Sequence, residues 1–173
     1  TAVPMARYTS ARVGGPADAL LVANTANDLA GLMQRLWQLE VPYWVLGGGS
    51  NVLVSDAGLR GVVVINRARQ VRFNEVSTPP IVWAESGTNF GALARQAAVR
   101  GLSGLEWAAG IPGTLGGAVV GNAGAFGGDL SGNLLMAEIL HQYGRENWPV
   151  EHFDYSYRNS MLKRRPGKWV VLT

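Results

Sequence analysis

Two stretches of nearly bare main chain hold the chemistry this sequence could do. In Val45-Leu46-Gly47-Gly48-Gly49-Ser50-Asn51-Val52-Leu53-Val54, three glycines, a serine and an asparagine separate two apolar runs. Glycine reaches positive φ without steric cost, so successive N–H groups can turn inward as an anion-binding nest. A side chain at Gly48 or Gly49 would block a phosphate, and Ser50 and Asn51 could add donors. A Walker loop needs Gly-Lys-Ser/Thr before a helix, and a dinucleotide fingerprint needs Gly-x-Gly-x-x-Gly opening one; neither occurs at this loop. The flanking runs predict a strand–glycine loop–strand cradle. Taken alone, the loop reads equally well as a tight hairpin, because Gly-Gly is also a turn signal.

The second stretch runs from Gly104 to Asp129, and folding needs alone explain it poorly. Glycine makes up 23 of 173 residues, about 13% against a usual 7% or so, and 11 of the 23 lie between Gly101 and Gly132. Each glycine in regular structure costs about 0.5–1 kcal/mol relative to alanine. Only Glu106 and Asp129 are charged between Gly101 and Gly132, so solvation does not account for the stretch either. Small residues at this density let backbone approach a large flat group such as an isoalloxazine ring. A tightly packed buried loop is the competing account. Two such segments, one suited to a pyrophosphate and one to a ring, favour a dinucleotide cofactor. Glu106 is expected to orient its loop by accepting backbone N–H bonds.

Composition narrows the partners. The net charge of +3 is modest, and the basic run Arg158–Lys168 lacks the interleaved aromatics of a nucleic-acid platform. An anionic small ligand fits better than DNA or RNA. With no cysteine there is neither a disulfide framework nor a cysteine-ligated metal, and His141 and His152 are too isolated for a zinc site, so no metal is expected. No apolar run approaches the ~20 residues of a membrane span. No signal peptide is evident, and the chain reads as cytoplasmic, with no membrane or nucleic-acid partner.

The elements that must position these stretches follow from periodicity. A strand is expected at Ala19–Val22. A helix capped by Asn24 or Thr25 should run to about Leu39, with Leu29, Leu32, Met33, Leu36 and Leu39 on its core face. Strands at Tyr43–Leu46, Val52–Val54 and Gly61–Asn66 complete a first lobe over residues 1–68. A second lobe, residues 69–173, should carry strands at Val71–Val76 and Ile81–Glu85. Its helix, capped by Thr88 or Asn89, should reach Arg100 with Phe90, Leu93, Ala94, Ala97 and Ala98 inward. Further strands are expected at Glu138–Tyr143, His152–Arg158 and Lys168–Thr173, with a turn at 144–147. Trp83, Trp107 and Trp169 are expected in the core. The chain stops within its last strand, as a fragment of something longer would.

Five ordered motifs then carry a resemblance. Leu46-Gly-Gly-Gly-Ser-Asn51-Val-Leu, Gly101-Leu-Ser-Gly-Leu-Glu106, Gly110-Ile-Pro-Gly-Thr-Leu-Gly-Gly117, Asn122-Ala-Gly-Ala-Phe-Gly127 and Tyr157-Arg-Asn-Ser160 occur in the order found in the UDP-N-acetylenolpyruvoylglucosamine reductase (MurB) family. Tyr8-Thr-Ser-Ala-Arg12-Val-Gly-Gly15 resembles that family's opening pattern. The resemblance implies an α+β, two-lobed FAD-binding fold of the vanillyl-alcohol-oxidase (PCMH) type, without its C-terminal substrate domain. It implies that Gly47, Gly48, Gly49, Ser50 and Asn51 hold the FAD pyrophosphate, with Val52 also binding the cofactor. Ile111, Pro112, Gly113, Gly116, Gly117, Asn122, Gly124, Ala125 and Gly127 would line the flavin. It further implies NADPH as electron donor, a UDP-sugar enol ether as substrate, Arg158 as a catalytic residue beside the developing enolate, and Tyr157 with Arg158 at the substrate. A monomer is expected.

The family's proton-donating serine and C-terminal glutamate would lie beyond residue 173, so this chain alone is expected to turn over poorly. Ser160 belongs to the Tyr-Arg-x-Ser motif and should cap or orient Arg158. Without the resemblance, Arg158 reads as one more surface arginine beside Lys163, Arg164 and Arg165. Another flavin oxidoreductase of this fold, or a non-catalytic module for an anionic nucleotide, are the alternatives. The first is disfavoured because no Cys or His stands where covalent flavin attachment would occur.

Overall fold

A computed structural model describes residues 2–165 and 167–173. Its first sheet has four strands in the order β1-β2-β4-β3, formed by β1 (Val3–Pro4), β2 (Pro16–Ala23), β3 (Tyr43–Leu46) and β4 (Leu59–Asn66). β4 lies between β2 and β3 and runs parallel to both, pairing Ala19 with Val62 and Leu46 with Ile65. This central position explains the unbroken run Val62–Ile65, because a strand covered on both faces has no polar side to show. Helix α1 (Ala26–Gln38) begins at Thr25 with a reciprocal cap: Thr25 Oγ1 accepts from Asp28 N at 3.0 Å, and Asp28 Oδ2 accepts from Thr25 N at 3.1 Å. Its buried face carries Leu29, Ala30, Met33, Leu36 and Trp37, while Leu39 is largely exposed. That face packs on Val64 of β4 and also on Leu140, Val170 and Leu172.

The expected strand at Val52–Val54 is absent. β3 and β4 are parallel, and joining parallel strands takes a crossover of about a dozen residues. Residues 47–58 supply that crossover as irregular backbone. Val54 is buried against Gly14, and Ser55 O accepts from Gly15 N at 2.9 Å. The parallel flanking strands also remove the hairpin reading of the glycine loop.

Residues 71–84 form the antiparallel pair β5 (Val71–Asn74) and β6 (Ile81–Ala84), both shorter than expected. Trp83 of β6 is exposed beneath Arg72 rather than in the core. Asn89 caps α2 (Phe90–Val99), its Oδ1 accepting from Ala92 N at 2.8 Å. Phe90, Leu93, Ala94 and Ala97 are buried, but Ala98 faces solvent. Trp107 and Trp169 are half-buried against the core built around α2.

A three-stranded antiparallel sheet has the order β10-β9-β11, from β9 (Met136–His141), β10 (Gly144–Pro149) and β11 (Trp169–Val171), and a short hairpin pairs β7 (Gly124–Ala125) with β8 (Gly128–Asp129). The turn expected at 144–147 is instead strand β10, and Gln142-Tyr143 makes the turn. Arg145, Glu146 and Asn147 lie on an edge strand facing water, which is why their polarity reads as a loop. The strand expected at His152–Arg158 is also absent. Val150–Phe153 forms a short 3-10 helix, and Asp154 (φ 43°) and Arg158 (φ 56°) sit in the left-handed region. The alternation of Phe153, Tyr155 and Tyr157 imitates a strand, yet Phe153 is fully buried and Tyr157 stands in solvent.

Candidate functional site

The first glycine loop leaves the carboxyl end of β3, where ligands of parallel sheets gather. It meets the second segment directly. Gly47 lies against the side chain of Thr114, so that a Cβ at 47 would overlap Thr114 Oγ1. A Cβ on Gly48 would stand 3.4 Å from Gly113 Cα, and one on Gly113 would stand 2.7 Å from Ser50 Oγ. Gly49 is buried with φ 63°, pressed against the Tyr8 carbonyl, and its own carbonyl accepts from Ser10 N at 2.9 Å. The N-terminal residues therefore buttress the loop from behind.

Around this junction the backbone is open. Gly48 and Gly117 are exposed, and a Cβ on Gly110 or Gly127 would meet nothing within 4 Å. Among the described residues, the N–H groups of 48–51 donate no hydrogen bond, and neither do those of Gly113 and Gly117. A glycine-rich stretch of unpaired N–H donors suits an anionic group, and the diphosphate of a dinucleotide is one. Asn51 and Pro112 are exposed, while Ser50, Val52 and Ile111 are half-buried.

The second segment is more structured than its composition suggests. Glu106 opens a 3-10 turn, Glu106–Ala108, and its Oε2 accepts from Gly104 N at 2.8 Å, the expected loop-orienting role. Trp107 packs edge-on against Phe90 and donates through Nε1 to Gly104 O and Asn133 Oδ1, both at 3.0 Å. Residues Leu115–Gly121 form helix α3, which begins where Thr88 O and Ser86 O accept from Leu115 N and Gly116 N at 2.9 and 2.8 Å. A two-stranded hairpin follows, β7 (Gly124–Ala125) with β8 (Gly128–Asp129). It holds Gly124 and Ala125 half-buried and puts Phe126 and Gly127 at an exposed tip. Thr114 lies within the stretch expected at the flavin, but its contact with Gly47 was not legible in the sequence.

Tyr157 and Arg158 occupy the tip of a tight turn. Reciprocal backbone hydrogen bonds between Ser156 and Asn159, at 3.1 and 3.0 Å, close it. Both side chains are exposed, with the Arg158 guanidinium 6.0 Å from the Tyr157 ring, and among the described residues no carboxylate pairs with Arg158. Ser160 is fully buried. Its Oγ accepts from Lys163 N at 3.3 Å as the cap of the short helix α4 (Met161–Arg164) and donates to Val120 O at 2.6 Å. Asn122 is buried with its amide engaged inside the protein. Nδ2 donates to Ser156 O at 3.1 Å and Asp129 Oδ2 at 3.3 Å, and Oδ1 accepts from Ser131 N at 3.0 Å. The Tyr155 hydroxyl donates to Val119 O at 2.8 Å, and burial together with the Asp129 charge raises its pKa, so it remains a donor.

Among the described residues no helix is long and apolar enough to cross a membrane, and no cluster of three or more acidic or histidine side chains could hold a metal ion.

Residues 17–145 match the FAD binding domain family. Over 169 residues the chain is 46% identical to UDP-N-acetylenolpyruvoylglucosamine reductase of Rubrobacter xylanophilus, covering 98% of this chain and 56% of that protein. The crystal structure of UDP-N-acetylenolpyruvylglucosamine reductase (MurB) from Thermus caldophilus superposes with a TM-score of 0.81 at 33% identity, covering 99% of this chain and 59% of that one. An alkyldihydroxyacetonephosphate synthase, 18% identical with a TM-score of 0.60 over 80% of this chain and 28% of its own, shares the fold. The chain thus spans a little over half the length of the reductases it matches.

Proposed function

The chain belongs to the FAD-binding domain family and has that family's α+β fold, and from this we propose that it is the cofactor-binding part of an NADPH-dependent reductase of UDP-N-acetylglucosamine-enolpyruvate, making UDP-N-acetylmuramate for peptidoglycan. The contact of the two glycine segments, Gly47 on Thr114 and Gly48 facing Gly113, carries this reading. In it the open N–H groups of residues 48–51 hold the FAD pyrophosphate, with Gly47 and Val52 fixing the ends of the loop. Ile111, Pro112, Gly113, Gly116 and Gly117 line the flavin with Gly124, Ala125 and Gly127. Flavin bound there would supply hydride chemistry for reduction of the enolpyruvyl double bond, with NADPH as the electron donor.

The chain's own residues bind, orient and balance charge. Arg158, paired with no carboxylate among the described residues, offers a planar fork to the substrate carboxylate, where negative charge grows as hydride arrives. Tyr157 stands beside it at the substrate, its ring 6.0 Å from the guanidinium. Ser160 is not the donor of the proton that completes the reduction, since it is buried and already donates to Val120 O. A monomeric, cytoplasmic protein accords with this reading. The full-length protein is expected to purify yellow and to consume NADPH only when the UDP-sugar enol ether is present. A protein that takes up no FAD would overturn the proposal. FAD uptake without NADPH consumption would leave only a nucleotide-binding module.

A further inference from the structure

We propose that Asn122 is a positioning residue for Arg158, coupling the Tyr157–Arg158 turn to the β7–β8 hairpin; this rests on the reading of Arg158 given above. Asn122 is 3% exposed, and both its N–H donors are spent within the protein, so it has none to offer a bound nucleotide. One donor goes to the carbonyl of Ser156, the residue immediately before the Tyr157–Arg158 tip, and the other to Asp129 on the hairpin strand β8.

The same helix end grips the turn twice more. Tyr155 Oη donates to Val119 O at 2.8 Å and Ser160 Oγ to Val120 O at 2.6 Å. Carbonyls in the last turn of a helix have no partner within it, so these two hydroxyls satisfy α3 while anchoring the turn on both flanks. Val119, Val120 and Asn122 thus form a three-point clamp over residues 155–160. Arg158 itself needs such support, because its φ of 56° is one that a non-glycine residue keeps only when its surroundings hold it there. Asn122 adopts a left-handed conformation too, at φ 44°, which asparagine tolerates. A shift of the hairpin that moves Asp129 therefore pulls on Asn122 and through it on the Arg158 turn.

The test uses the full-length protein with Asn122→Gly, which keeps the left-handed backbone and removes the side chain's hydrogen bonds to Ser156, Asp129 and Ser131. Amide exchange at Ser156 and Asn159 is expected to speed up about tenfold, the weight of one lost hydrogen bond. The kcat is expected to fall by up to about 100-fold through misplacement of the guanidinium, while the Kd for FAD, read by quenching of flavin fluorescence, stays unchanged. Asn122→Ala likewise loses the donor to Ser156, so it should follow the glycine variant; wild-type behaviour in both would overturn the proposal. So would weaker FAD binding with unchanged exchange, which would make Asn122 a cofactor ligand. Tyr155→Phe removes a second clamp point by one oxygen atom and should also speed exchange at 156–159, whatever the Asn122 variants do to folding. If the parent protein binds no FAD, the functional reading fails while the exchange result still decides the clamp.

Discussion

Gly47 lies flat against the side chain of Thr114, and this contact closes the two glycine segments on each other. A methyl group at position 47 would overlap the threonine hydroxyl, whereas one at position 48 would meet Gly113 Cα at an ordinary 3.4 Å. The two glycines therefore serve different ends, one joining the segments and the other leaving room beside them. Gly47→Ala is expected to destabilise by about 1–3 kcal/mol, as overpacking does, and Thr114→Ala in the same protein should restore part of that. Gly48→Ala should leave the denaturation midpoint unchanged and weaken FAD binding sharply. Denaturant melts beside FAD titrations separate the two, and equal stability losses would contradict the distinction.

Glu85 is a buried carboxylate that joins elements far apart in sequence. Its Oε1 accepts from Ala26 N, at the start of α1, and its Oε2 from Gln70 N, both at 2.8 Å. Removing it strands two N–H groups, one of them in a buried setting. Glu85→Ala is expected to cost about 2–3 kcal/mol in chemical denaturation, and Glu85→Gln, which can satisfy only one of the two donors, somewhat less. A loss below about 0.5 kcal/mol, the scale of an ordinary surface substitution, would show that neither bond matters.

The helices and the central parallel strand were legible because each is written locally. Thr25 with Asp28, Asn89, and the apolar spacing of α1 and α2 are short-range signals that no tertiary contact overrides. The glycine loop's place at the end of β3 was also legible, but its partner was not. The fit of Gly47 to Thr114 is a relation between distant residues, and neither betrays it alone. Polarity misled at β10, where Arg145, Glu146 and Asn147 face water from an edge strand. Alternation misled at 152–158, where hydrogen bonds from Tyr155 and Ser160 to the end of α3 fold an apparent strand into a turn. Asn122 was legible as a motif residue, but its three hydrogen bonds appear only once that turn is in place.

Tyr155 should make the fold sensitive to alkali. Its phenol stacks on Phe153 with centroids 5.2 Å apart, donates to Val119 O, and has its pKa raised above the ordinary 10.0, first by burial and then by Asp129. The folded state thus holds this proton more tightly than the unfolded state does. The associated stability is complete below the unfolded value and is lost as pH climbs past it. Denaturation midpoints are expected to fall progressively above pH 10 and to do so less steeply in Tyr155→Phe. In a spectrophotometric titration, Tyr155 should ionise above the ordinary tyrosine range. Identical alkaline profiles for the two proteins would remove Tyr155 as the cause.

Arg158 offers the most direct trial of the chemistry. Its guanidinium is exposed, pairs with no carboxylate among the described residues, and belongs to a turn that shares no hydrogen bond with residues 47–51. Substituting it should therefore leave the cofactor cradle alone. The backbone comparison is fair as well, because arginine, lysine and alanine all bear a similar strain of about 1–2 kcal/mol in the left-handed region. In the full-length protein, Arg158→Ala is expected to lower kcat by about 100- to 1,000-fold, the usual effect of deleting one donor aimed at developing negative charge. Arg158→Lys should recover part of that, since it keeps the charge and loses the two-pronged geometry. The Kd for FAD should not move in either variant. If kcat and FAD affinity fall together, Arg158 supports the cradle and has no part in the reaction. If neither falls, the arginine is a surface residue like its neighbours Arg164 and Arg165.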